Sequence, residues 1–215
     1  TGTICSVNAS SGAMTPLGVG TCTITANQAT DGTAPAGSAS VSITITKGTQ
    51  STVTLTSSPT TLVYGSSVTL SGAGGNGSGG FSYQKVSGNC LISGASLQAS
   101  TANAGDICVV TATKVSDANW NSGVSANYSF TVAQAAQAAV TVPTGQSVGY
   151  NNPTDLTQAP YTPSGGTGTG AWSFSTSSAN CSISGNLLTS TTVIGGTCVV
   201  AVQRLAQGNY ADSTP

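Results

Sequence analysis

Histidine and glutamate are absent from the 215 residues, and charge of either sign is scarce at 4%. The cations are Lys47, Lys85, Lys114 and Arg204; the anions are Asp31, Asp106, Asp117, Asp155 and Asp212. These shortages narrow the chemistry. General acid–base catalysis would fall to isolated Asp and Lys side chains, and neither a Ser-His-Asp nor a Cys-His set can be assembled. Zinc wants His or close C-x₂-C pairs, and calcium wants clustered carboxylates; the sequence offers neither. Four scattered cations make no basic patch, which disfavours phosphate neutralisation and nucleic-acid binding. No apolar run reaches the roughly 18 residues of a membrane span. The opening TGTICSVNAS lacks the charged-then-apolar order of a signal peptide, so none is expected. The chain is expected to be no enzyme, with no cofactor, no metal, no nucleic-acid partner and no membrane insertion.

What is present is Thr, Val and Ser, punctuated by 28 Gly, with 38% hydrophobic residues overall. Leu, Lys and Glu, the material of exposed helices, are missing or few. β-branched residues joined by Gly-rich turns predict strands, and the hydrophobic content argues against disorder. The fold class expected is all-β.

One two-cysteine phrase is written three times. CSVNASSGAMTPLGVGTCTITA starts at Cys5, CLISGASLQASTANAGDICVVTAT at Cys90 and CSISGNLLTSTTVIGGTCVVAV at Cys181. The first cysteines are offset by 85 and 91 residues and the second, Cys22, Cys108 and Cys198, by 86 and 90. The likeness extends outward: GGNGSGGFSYQKVSGNC parallels GGTGTGAWSFSTSSANC, and VTATKVSDANWNSGV parallels VAVQRLAQGNYADST. A period near 88 residues is the size of a small β-sandwich, larger than solenoid or propeller units. Period-2 alternation supports strands. Cys108, Val110 and Ala112 share a face, as do Cys22, Ile24 and Ala26, and Cys198, Val200 and Val202. Val41, Ile43 and Ile45 do so in SVSITITK, and Tyr128, Phe130 and Val132 in NYSFTV.

Two cysteines per repeat, with 16, 17 and 16 residues between them, suit structural disulfides better than metal ligation or a C-x-x-C redox motif. Pairing within each repeat gives Cys5–Cys22, Cys90–Cys108 and Cys181–Cys198. It places the chain in an oxidising compartment.

The phrases CLISGASL and CSISGNLL, followed by ICVVTA or TCVVAV and then DANW or QGNY, resemble the bacterial immunoglobulin-like repeats found in tandem in very large surface and secreted proteins. The resemblance covers essentially the whole chain and is one of strands and turns. It implies tandem immunoglobulin-like β-sandwich domains, each with one intradomain disulfide. On that alignment, residues 1–47 are the C-terminal half of a repeat, 48–134 a complete repeat, and 135–215 a repeat without its last strand, which falls near position 220. A window from a longer array explains these phases better than strand donation between copies, since residues 1–39 would duplicate what the third repeat already holds. Repeat one departs most, with DGTAPAGS where the others carry Trp120 and Tyr210.

The Gly-rich GAGGNGSGGF and SGGTGTGAW lack a Walker lysine and precede strands, so they read as hairpins and not phosphate loops. Trp172 alternates with Phe174 and is expected to face the core. Trp120 and Tyr210 are the candidate ligand contacts, against the plainer reading of loop aromatics that cover a sandwich end. The function expected is a structural segment of an extracellular or cell-surface fibre, stalk or adhesin, self-assembly into filaments included. Its partners would be neighbouring repeats or copies of the same protein. The alternative is a glycan- or ligand-binding module of a secreted protein; an accessory part of a secreted enzyme ranks third.

Overall fold

The computed structural model describes residues 4–99, 101–191 and 195–215. Among them all regular structure is β-strand, and no helix forms. The cause is local: β-branched residues alternate with small polar ones, and glycine interrupts each run before a helical turn could propagate.

In the first 47 residues, Cys5–Val7 (β1) pairs antiparallel with Met14–Pro16 (β2). Gly20–Gln28 (β3) forms a hairpin with Gly37–Ile45 (β4), Gly20 facing Ile45 and Gln28 facing Gly37. The middle of the chain supplies Val53–Ser58 (β5), Leu62–Val63 (β6), Ser67–Gly74 (β7), Phe81–Ser87 (β8), Leu91–Ser93 (β9), Ser96–Gln98 (β10), Ile107–Lys114 (β11), Gly123–Val124 (β12) and Tyr128–Ala133 (β13). They form two sheets, in the orders β5-β7-β10-β9 and β12-β11-β13-β6, with β8 also on β11. The last part adds Val140–Thr141 (β14), Thr154–Asp155 (β15), Ser164–Gly165 (β16), Trp172–Thr176 (β17), Cys181–Ser184 (β18), Leu187–Ser190 (β19) and Val200–Arg204 (β20). Here β14 pairs with β16, β19 lies between β15 and β18, and β17 pairs with β20.

The chain divides into two compact units, one made of Thr1–Ser58, Thr69–Val86 and Val110–Tyr128, the other of Pro59–Val68, Ser87–Val109 and Ser129–Pro215. The division falls inside β7, β8, β11 and β13. Positions 47 and 48 both lie in the first unit, and 134 and 135 both lie in the second.

Alternation along the strands decides what is buried. Val53 and Leu55, Val68 and Leu70, Cys108, Val110 and Ala112, and Phe130 and Val132 are all buried, while the residues between them turn outward or are only partly covered, except Thr111, which is buried as well. In the last part of the chain Leu156, Phe174, Cys181, Leu188 and Val202 form a core cluster with Trp172, Ile183 and Val200 packed against it. Three disulfides join Cys5 to Cys22, Cys90 to Cys108 and Cys181 to Cys198, with Cα–Cα separations of 5.9, 6.1 and 6.0 Å.

Two apolar faces differ from the sequence expectation. On β3 only Cys22 is buried, while Ile24 is partly covered and Ala26 exposed; on β4, Val41 and Ile43 stay 55% and 36% exposed. Among the described residues these two strands pair only with each other, so the ribbon has no second sheet to bury its apolar face. Among the described residues β11 is likewise bordered by β8, β12 and β13, whereas β20 pairs with β17 alone. Beside β20 lies a cleft of about 640 Å³, lined by Val148, Leu156, Tyr161, Phe174, Leu188 and Val202 among others.

Candidate functional site

The linker, the Gly-rich hairpin and the loop that carries Trp120 converge in the first unit. Gln50, 9% exposed, turns its Oε1 to accept hydrogen bonds from the backbone N–H of Asn76 (2.7 Å) and Gly77 (3.1 Å). The hairpin can approach because it has no side chains in the way. Gly74 sits at φ +81°, and a Cβ there would run into the Thr52 carbonyl; the Gly75 N–H donates to that carbonyl at 3.3 Å.

Asp117 closes the other side. Its Oδ2 accepts from the Ser78 N–H (2.5 Å) and hydroxyl (3.1 Å), and its Oδ1 accepts from the N–H groups of Asn119 (3.0 Å) and Trp120 (2.9 Å). Those donors, the Ser78 N–H first, favour the carboxylate and hold its pKa at about 2. The loop then clips onto the linker: the Gly48 N–H donates to the Asn119 carbonyl and the Asn121 N–H to the Gly48 carbonyl, both at 2.9 Å. The half-buried Trp120 ring lies against Gly48, where an added Cβ would stand 2.9 Å from it. Lys114 Nζ lies 4.6 Å from the centre of the Phe81 ring.

The second unit builds a parallel arrangement around Gln137, which differs at the glutamine itself: among the described residues the buried Gln50 Nε2 has no hydrogen-bond partner, whereas the Gln137 Nε2 is bonded. Gln137 Oε1 accepts from the Gly168 N–H at 3.1 Å, and its Nε2 donates to the carbonyls of Ala211 (2.7 Å), Arg204 and Leu205 (both 3.2 Å). Gly165, at φ +86°, takes the place of Gly74, and the Gly166 N–H donates to the Ala139 carbonyl. Gln207 replaces Asp117, accepting the Thr169 hydroxyl at 2.5 Å. The Ala135 N–H donates to the Asn209 carbonyl and the Ala211 N–H to the Ala135 carbonyl, each at 2.9 Å. Arg204 lies over Trp172 at 4.6 Å, as Lys114 does over Phe81. The half-buried Tyr210 meets Tyr64 edge to face, with ring centroids 5.6 Å apart.

Chemically this arrangement is a device for holding backbone. Asp117, Asp31 and Asp155 all have lowered pKa values because turn donors occupy their oxygens: the Ala34 N–H is the leading cause at Asp31, held at about 2, and the Thr157 N–H at Asp155. Among the described residues no cluster of three or more Cys, Asp, Glu or His could hold a metal ion. Among the described residues no helix is long and apolar enough to cross a membrane.

Of the residues singled out from the sequence, Trp120 and Tyr210 occupy matching loops, one in each unit. Trp172 is half-buried at the margin of the core cluster, its face covered by Arg204, while Phe174 is inside. Sequence reasoning missed Gln50, Gln137, Asn119 and Asn209. A signal was there: the glutamines stand at equal phase in TKGTQST and VAQAAQAAV, and an asparagine precedes each loop aromatic. No protein-family model, curated protein or solved structure matches the chain.

Proposed function

We propose that this chain is a non-catalytic structural segment of an extracellular or cell-surface fibre, stalk or adhesin body, built from tandem immunoglobulin-like β-sandwich repeats. The observation that carries this reading is the duplicated clip. Gln50 with Gly48 and the Trp120 loop, and Gln137 with Ala135 and the Tyr210 loop, use the same backbone atoms at equal phase in the chain. A machine for binding one ligand has no need to duplicate the geometry of its linkers. A mechanical array does, because every repeat must grip its connection in the same way. The carboxylates for which a shift is seen are committed to turns, which suits a scaffold better than a reaction centre. The three disulfides fit an oxidising environment outside the cell.

The glycan-binding reading ranks second. Trp120 spends one face on Gly48 and Tyr210 meets Tyr64, which leaves less aromatic surface for stacking on a sugar ring. Filament assembly through the sparsely charged sheet edges belongs to the leading reading, since few charges guard those edges.

Electron microscopy of the oxidised protein across a concentration series tests the proposal. Slender rods, or filaments with a regular axial repeat, are the expected result. Irregular compact particles at every concentration, together with saturable binding of a soluble glycan that Trp120→Ala abolishes, would overturn it in favour of the binding module.

A further inference from the structure

We infer that the asparagine ahead of each loop aromatic is the positioning residue of a joint that fastens one repeat to the next; this rests on the tandem-repeat reading above. In the first unit, Asn119 Oδ1 accepts a hydrogen bond from the Val19 N–H at 3.2 Å, across 100 residues of sequence. In the second, Asn209 Oδ1 accepts from the Ala104 N–H at 2.8 Å, across 105 residues. Val19 and Ala104 occupy corresponding places, in the loop just ahead of the second cysteine, Cys22 and Cys108 respectively. Donor and acceptor therefore come from successive repeats both times, and the atoms are the same both times.

Each joint has two strands of attachment. The asparagine's own backbone carbonyl receives the linker N–H of Gly48 or Ala135, while its side chain receives the loop of the preceding repeat. A single short residue thus ties down the connecting segment and the domain before it, which removes the bending freedom that a bare linker of this length would keep. At the second joint the amide is used in full: Asn209 Nδ2 donates to Asn103 Oδ1 at 3.1 Å, and Gln134 Nε2 adds a bond to the Gly208 carbonyl at 2.9 Å. Tyr64 and Tyr210, from successive repeats, close the same joint with an edge-to-face contact at 78°. Asparagine suits the post because one planar amide accepts and donates at once. Asn119 is exposed and each loop is held in its own repeat by backbone bonds, so the side chain serves the neighbour more than its own fold. The partner this surface fits is another repeat of the same kind, read through a main-chain N–H and hence tolerant of sequence on the donor side.

The test uses the full oxidised chain, with Asn119→Ala, Asn209→Ala and Asn209→Asp, and residue-resolved amide hydrogen exchange beside small-angle scattering. Asn209→Ala should speed exchange at Ala104 about tenfold and leave Val19 unchanged; Asn119→Ala should do the reverse. Asn209→Asp keeps the acceptor and should keep most of the Ala104 protection while losing the Asn103 contact. Strand amides such as Val110 and Val202 should not move, and the double alanine variant should broaden the distribution of interdomain distances. Unchanged exchange at Val19 and Ala104 would overturn the joint, as would a loss of protection shared equally with Val110 and Val202. A wild-type chain that scatters as a compact particle, yet shows the site-specific exchange changes, would sink the spacer function and leave the joint standing.

Discussion

Leu97 and Leu188 hold the same place in their repeats, and they should tolerate truncation very differently. Leu97, on β10 opposite Ile92, is fully buried. Leu188, on β19 opposite Ile183, is 4% exposed but lines the cleft of about 640 Å³ beside β20. Leu→Ala removes three carbons from either site, a transfer loss of roughly 2.4 kcal/mol at about 0.8 kcal/mol per methylene. At Leu97 the vacated space is enclosed. Roughly 80 Å³ of unfilled volume at about 24 cal/mol per Å³ adds about 2 kcal/mol, for a total of roughly 4 kcal/mol. At Leu188 the space merges with a cleft that is already open, so the cavity contribution largely vanishes and about 2 kcal/mol remains. Urea titrations of the oxidised chain, followed through the backbone amide signals of Ile92 and Ile183, read the two regions separately. Leu97→Ala should lower the Ile92 transition by about twice the free energy that Leu188→Ala takes from the Ile183 transition. Equal losses would refute the reasoning, because they would mean that the last region closes around Leu188 as tightly as the middle one does around Leu97.

Two further outcomes follow from side chains that hold backbone. Gln50→Leu keeps the buried volume and removes the unpartnered Nε2, but it takes the acceptor from the N–H groups of Asn76 and Gly77; the net cost should be about 1 kcal/mol, seen as a lower urea midpoint and faster exchange at both amides. Asp31 and Asp117 have folded pKa values of about 2, below the ordinary 3.8, so the stability they contribute is complete above that value and is lost as pH falls through 2; thermal melts between pH 4 and pH 2 should show a falling midpoint, and Asp117→Asn should flatten the slope.

The duplicated clip explains why the two loops differ in sequence yet agree in geometry. Asp117 and Gln207 are chemically unlike, but each offers an oxygen to a hydroxyl of the Gly-rich hairpin, Ser78 or Thr169. Likewise Lys114 over Phe81 and Arg204 over Trp172 exchange both partners and keep the stacking. What repeats is the set of main-chain bonds, and any side chain able to reach them serves. A comparison by residue identity alone undervalues such a site, since backbone N–H and C=O groups are the same in every sequence.

The sequence by itself determined the strand character of the chain, the cysteine spacing and the alternation that buries Val110, Ala112, Phe130 and Val132. These depend on neighbours two residues apart or on loops of about seventeen residues, so period and spacing reveal them. The exposed apolar faces of β3 and β4 and the cleft beside β20 were decided by tertiary structure alone, because alternation says which side of a strand is apolar but not whether anything covers it. The roles of Asn119 and Asn209 belong to the same class. Their acceptor oxygens meet N–H groups 100 and 105 residues away, and a short polar side chain in a loop carries no mark of so distant a partner until the chain has folded.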